Sequence, residues 1–261
     1  MSNLNLLFRN KIGIPNSESL TFENLDSILE KTAKILAFGN LSILENRTAE
    51  ITKENLINKV IIQNEAGLCY DLNPILSFFL QENGFNIVLI RGIIYDHTGQ
   101  QWSAIGKTHV FNIINHNEQF YIIDTGFGGN LPLKPVPLSG ETVKSMNGEF
   151  RVDSVQSEHG DYILFMKLKH KDKDWEIGYA FDSKEIIKNI TVLNKIQKII
   201  LRHPESPFNK KPLLTRLTDR GSIILTETSF TEWVDGEMKK KKINQKQFKE
   251  IAKEHFGIQP Y

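Results

Sequence analysis

Cysteine is almost absent: Cys69 is the only one in 261 residues. That excludes an intramolecular disulfide, suits a reducing cytosol, and draws attention to one thiol. Long apolar runs are missing as well. None approaches the roughly 18 residues that span a bilayer. The stretch Met1 to Arg9 is too short in apolar length, and too polar in front, for a signal peptide. Neither sign of charge dominates: 32 basic against 31 acidic residues leave +1, so nothing draws the chain in bulk to nucleic acid or to an anionic membrane. No internal repeat is visible. The expectation is a soluble, cytoplasmic protein with no nucleic-acid or membrane partner. At 261 residues it is long enough for two or three closely packed subdomains.

The first third reads as helical. Leu25, Ile28, Leu29, Thr32, Ile35 and Leu36 recur at helical spacing, and Thr52 is placed to cap a second helix from Lys53 to Ile62. A third helix is expected from about Cys69 to Gln81, closed by Asn83-Gly84, with Pro74 within its first turn or so. From Phe85 the texture turns β-like. Ile87 to Ile94, Thr108 to Ile114 and Gln119 to Asp124 are strand candidates, the last two joined by a turn at residues 115–118. Tyr162 to Lys169 and Trp175 to Phe181 suggest a further hairpin. Residues 130–160, with three prolines, read as long irregular loops. Asp182-Ser183 is expected to cap a helix running to about Leu201. Short strands are expected at Leu213 to Leu217, Ser222 to Glu227 and Phe230 to Val234, then a charged helix from about Asn244 to Glu254 ending at Gly257. Lys239 to Lys242 reads as a solvated turn rather than a phosphate site.

Three residues carry the chemistry. Cys69 lies where a loop turns into an apolar helix, and the positive end of a helix dipole favours a thiolate there. A free cysteine is commonly just a small buried hydrophobe, but this one has company. His109 interrupts an otherwise apolar strand, and Asp124 follows Ile122-Ile123 at a strand end. A buried imidazole and a buried carboxylate each need a partner, and each supplies what the other lacks. Thiol, imidazole and carboxylate in that chain order are the parts of a nucleophilic triad. The loop Thr125-Gly126-Phe127-Gly128-Gly129 offers backbone N–H groups for an anionic ligand, although glycines after a strand often only turn the chain.

At these residues the chain resembles the arylamine N-acetyltransferase family, whose cysteine motif is Arg-Gly-Gly-x-Cys with Asn four places on, whose His follows Thr, and whose Asp opens Asp-x-Gly-Phe-Gly. The matching positions are Gly67, Cys69, Asn73, Thr108, His109, Asp124, Gly126, Phe127 and Gly128. Ala37 to Leu41, His203 to Phe208 and Glu254 to Ile258 resemble further family stretches, so the likeness covers nearly the whole chain. The resemblance implies an α+β fold. An N-terminal helical bundle (residues 1–84, with Cys69) would join a β-barrel (85–195, with His109 and Asp124) like that of cysteine proteases and transglutaminases, under a C-terminal α/β lid (196–261). It implies ping-pong acetyl transfer from acetyl-CoA, a co-substrate, through Cys69 to an aromatic amine or hydrazine, with no metal. Thr108, Phe127 and Phe208 would line the substrate pocket, and Gly126, Gly128 and Gly129 would touch CoA. A monomer or homodimer is expected.

One departure stands out. Glu65 occupies the place of the family's Arg, Ala66 that of its first Gly, and Gly39 that of the Glu with which the Arg pairs. Both partners are lost together, which avoids stranding one buried charge, but the hold on the Cys69 loop is weakened. A weakly active or inactive homologue therefore stays open beside the acetyltransferase, as do, on the same scaffold, an amide synthase taking its acyl group from a carrier and another acyltransferase.

Overall fold

A computed structural model of the chain describes residues 3–260. Helices α1 (Asn3–Ile12), α2 (Leu25–Ile35), α3 (Leu41–Leu44), α4 (Lys53–Leu56) and α5 (Cys69–Glu82) fill the N-terminal third, with a two-residue strand, β1 (Phe38–Gly39), between α2 and α3. The Thr52 side chain caps α4 by accepting from the Asn55 N–H, and the chain continues as a π-helix over Ile57–Ile62. Helix α5 is central. Leu72, Ile75, Leu76, Phe79 and Leu80 are all buried on it, and each such side chain contributes roughly 1.5–3 kcal/mol of transfer free energy. Pro74 is the sixth residue of α5, in the second turn rather than the first, so the helix runs through it with one backbone hydrogen bond fewer.

The middle of the chain forms β2 (Asn86–Asp96), β3 (Gln101–Trp102), β4 (His109–His116), β5 (Gln119–Ile123), β6 (Val136–Pro137), β7 (Val143–Lys144), β8 (Gly148–Ser157), β9 (Gly160–Leu168) and β10 (Glu176–Ile186). These pair in the order β6-β5-β4-β2-β10-β9-β8-β7, with β3 on β2, and curl into a nearly closed eight-strand barrel. Strands β4 and β5 meet at a two-residue turn, Asn117-Glu118, with both φ angles positive, as the right-handed twist of a tight hairpin requires. Alternation along β4 divides its side chains. Val110 and Ile114 join the helical core with α5, while Phe111 and Ile113 fill the barrel with Phe150, Leu164, Tyr179 and Phe181.

Helix α6 (Thr191–Arg202) leads to β11 (Leu213–Thr218), β12 (Gly221–Thr226), β13 (Ser229–Val234), β14 (Glu237–Lys242) and α7 (Gln245–Phe256). The second sheet has the order β1-β11-β12-β13-β14, so its first strand comes from the N-terminal third. Asn244 and Gln247 form a capping box at the start of α7, and Gly257 ends the helix in the left-handed region at φ 67°. Among the described residues no helix is long and apolar enough to cross a membrane.

Three sequence expectations need correction. Asp182-Ser183 does not cap a helix. Strand β10 runs on to Ile186 through a register shift, because the Asp161 carboxylate takes both the Ser183 N–H (2.8 Å) and hydroxyl (2.7 Å), and α6 begins only at Thr191. Residues 130–160 are not all irregular, since β8 spans ten of them, paired along β9. Lys239 to Lys242 are no turn either. They belong to β14, which pairs with β13 at the open edge of the second sheet with every residue exposed. Lysines on an edge strand keep it from pairing with another chain.

Candidate active site

Cys69 is the first residue of α5, with Leu68 extended before it. The Asp71 carboxylate reaches back to the Leu68 N–H at 2.9 Å, which sets the first turn, and Lys59 Nζ holds the same oxygen at 2.9 Å. Cys69 is 7% exposed, and its Sγ lies 3.6 Å from the Thr108 carbonyl. His109 opens β4 opposite Gly92 and is 2% exposed.

The imidazole Nε2 meets Asp124 Oδ2 at 2.8 Å, which leaves Nδ1 for the hydrogen bond to Cys69. Burial alone would push the His109 pKa down. The Asp124 carboxylate and the Cys69 sulfur outweigh it and raise the value to about 10, so the ring is an imidazolium at neutral pH. Its faces are packed by aromatic rings, with centroids at 4.6 Å for Tyr179, 5.1 Å for Phe127 and 5.9 Å for Phe111.

Asp124 is 3% exposed and fully engaged. Oδ1 accepts from Asn73 Nδ2 (2.9 Å) and the Gly126 N–H (2.8 Å), and Oδ2 from His109 and from the Tyr179 hydroxyl (3.2 Å). Four donors on one carboxylate replace the solvent it loses on burial. Asn73 fixes this corner. Its Nδ2 also donates to the Val110 carbonyl (2.7 Å) and its Oδ1 accepts from the Thr125 N–H (2.9 Å), so α5, β4 and the loop after β5 converge on one side chain. Asn112 donates to the same Oδ1 at 3.2 Å. Gly126 is obligatory: a Cβ there would lie 2.6 Å from both Cys69 Cα and Asn73 Nδ2.

A cleft of about 630 Å³ opens onto Cys69 and His109. Thr108, Phe127 and Phe208 line it, as do Gly126, Gly128 and Gly129, whereas no lysine of β14 does. Gly126, however, gives its N–H to Asp124, so of the three glycines only Gly128 and Gly129 keep a backbone N–H clear of the carboxylate.

Sequence reasoning passed over Tyr179, Asn112 and Arg47. Tyr179 looks like any strand aromatic until β10 is registered beside β2 and β9. Asn112 did carry a signal, as a lone amide within an apolar strand. Arg47 answers the departure noted at Glu65. Its Nη1 lies 2.5 Å from Glu65 Oε1, so Glu65 has a partner after all.

A sequence model of the N-acetyltransferase family matches residues 21–260. An uncharacterized acetyltransferase of Bacillus subtilis, YvcN, is 38% identical over 240 residues, 92% of each chain. Arylamine N-acetyltransferase C from Bacillus anthracis superposes with a TM-score of 0.93 at 40% identity, over 99% of both chains. An arylamine N-acetyltransferase from Bacillus cereus, described as having a Cys-His-Glu catalytic triad, superposes with a TM-score of 0.93 at 36% identity, over 99% of this chain and all of that one.

Proposed function

Because the chain belongs to the arylamine N-acetyltransferase family, we propose that it transfers acetyl from acetyl-CoA to an aromatic amine or hydrazine, with Cys69 as the covalent carrier. The observation that supports this most is the His109 imidazolium, set between Cys69 and a fully coordinated Asp124 at the floor of an open cleft.

The proton count closes around that pair. Cys69 as thiolate attacks the thioester carbonyl, and backbone N–H groups at the start of α5, which have no intrahelical acceptors, take the developing oxyanion. The C–S bond to CoA breaks, and His109 gives its proton to the departing thiolate, so CoA leaves as the free thiol. The ring is now neutral. The amine attacks the Cys69 thioester, its proton passes to His109, and the amide departs as the Cys69 thiolate and the imidazolium are restored. Asp124 orients the ring throughout and keeps its Nε2 protonated. Phe127 and Phe208 offer aromatic walls to an aryl acceptor, Thr108 supplies the carbonyl beside the sulfur, and Gly128 and Gly129 are the backbone donors for CoA.

The kinetic test is initial rates with both substrates varied. Parallel double-reciprocal lines, with free CoA released before any amine is added, are the expected pattern. Intersecting lines, or CoA release that waits for the amine, would replace the covalent carrier with direct transfer.

A further inference from the structure

Cys69 follows directly on a segment in which this chain departs from its family. Gly39 cannot serve as the acidic partner of an arginine at position 65. A Cβ there would fall 2.5 Å from Leu214 Cδ2 and 2.7 Å from the Leu213 carbonyl, because β1 pairs closely with β11. The charges sit the other way round. Glu65 is the acid, and Arg47, from the turn after α3, is the base. Arg47 Nη1 meets Glu65 Oε1 at 2.5 Å, while Nη2 and Nε hold Glu45 Oε2 at 2.6 and 2.9 Å.

The other restraints on this segment are backbone and side-chain bonds spaced along it. The Glu65 N–H donates to the Lys59 carbonyl at 2.9 Å, Gly67 exchanges 3.1 Å bonds with Ala37 and Gly39, and Asp71 takes the Leu68 N–H. Arg47 thus grips the segment through its side chain at the upstream end, and Lys59 grips it through Asp71 on the helix side. The two side chains are 27% and 19% exposed, withdrawn enough from solvent for the pair to be held in one geometry.

We propose that Arg47 is a positioning residue for the reaction. Its pair with Glu65, opposite in polarity to the family's Arg–Glu pair, fixes the loop that presents Cys69 to His109. The proposal rests on Cys69 being the reacting thiol. Loss of the pair releases the loop at its upstream end, and a misplacement of about 1 Å at the sulfur costs on the order of a hundredfold in rate.

The test follows two rates in the full-length protein, alkylation of Cys69 by iodoacetamide across pH and single-turnover acetylation by acetyl-CoA. The variants are Arg47→Gln, Arg47→Lys, Glu65→Gln, Glu65→Arg and the Arg47→Gln/Glu65→Gln double. Arg47→Gln and Glu65→Gln should each slow both rates by roughly tenfold or more, and the double should be no slower than the worse single. Arg47→Lys should recover most of the loss. Glu65→Arg, which writes in the family's own residue, should be the slowest, because it sets two guanidinium groups face to face. The pH dependence of alkylation should change in the glutamine variants and return in Arg47→Lys, a response that a merely stabilising pair would not give. Rates within twofold of wild type in Arg47→Gln, or losses that multiply in the double, would overturn the proposal. So would a Glu65→Arg variant faster than Glu65→Gln. Alkylation needs no acyl donor. A wild type that alkylates fast but takes no acetyl group would therefore refute the acetyl-CoA reading and leave the role of Arg47 to be judged on alkylation alone.

Discussion

Asp124→Asn probes the site's electrostatics with almost no change of shape, and the structure dictates which way the new amide must face. Asn73 Nδ2 and the Gly126 N–H point at Oδ1. Asn73 cannot be flipped to accept, because the Val110 carbonyl and the Thr125 N–H fix which end is nitrogen. The asparagine oxygen must therefore take the Oδ1 position, and its NH₂ the Oδ2 position beside His109 Nε2. Two donors cannot face each other, so Nε2 becomes the acceptor and the ring proton moves to Nδ1, toward Cys69. The base now presents a hydrogen where it should present a lone pair. Two losses combine. The carboxylate that helps to lift the His109 pKa to about 10 is gone, which leaves only Cys69 against the burial that pushes the value down, so the preference for the imidazolium falls steeply. The tautomer is also wrong, a fault that costs about 10⁴ in kcat in a serine-protease triad. We expect single-turnover acetylation to slow by roughly 10³ to 10⁴. The melting temperature should fall by only a few degrees, because three of the four hydrogen bonds keep a donor and an acceptor. NMR titration of the His109 ring in both proteins reads the cause directly. A loss under tenfold, or a His109 pKa that stays near 10 in the variant, would show that Asp124 does not set the charge and tautomer of His109.

The same raised pKa links stability to pH. It lies above the unfolded value, so its contribution is complete below about pH 6.5 and is lost as pH climbs through about 10. Wild type should lose stability over that window more steeply than Asp124→Asn, and parallel denaturation midpoints from pH 6 to 10 would contradict this. Asp124→Glu keeps the charge but adds a methylene to a fully buried place. It should outperform Asp124→Asn in acetylation while losing roughly 1–3 kcal/mol of stability, and equal activity in the two variants would show that charge is not what matters. Gly126→Ala should lose acetylation by on the order of a hundredfold, since its Cβ must displace Cys69 or Asn73, and wild-type rates in that variant would show that the loop yields freely. Serine at Lys239 to Lys242 should leave the KM for acetyl-CoA within about twofold, and a large rise would place CoA along β14 instead of in the cleft.

Much of this site was visible in the chain because it breaks local patterns. Cys69 stands at a helix start, while His109 and Asp124 each interrupt apolar strand sequence, so burial itself demanded that they meet. Helix α5 and the β4–β5 hairpin followed from periodicity and turn residues close in sequence. The rest depends on partners far along the chain. Strand β14 carries four lysines and has no buried face, so only pairing with β13 makes it a strand. Strand β10 runs past Asp182-Ser183 because Asp161 captures Ser183 from the neighbouring strand. Tyr179 joins Asp124 across 55 residues. Arg47 reaches Glu65 only once the chain has turned between α3 and α5, so the missing family arginine read as a lost pair where the structure has a reversed one.

Whether Cys69 carries the acetyl group is read most directly from the intact mass of the protein. Brief exposure to acetyl-CoA should add one acetyl group to the wild type and none to Cys69→Ser. Addition of an aromatic amine or hydrazine should then remove it and yield the acetylated acceptor. An unmodified wild type that also releases no CoA, or an adduct that persists in Cys69→Ser, would show that Cys69 is not the acetyl carrier.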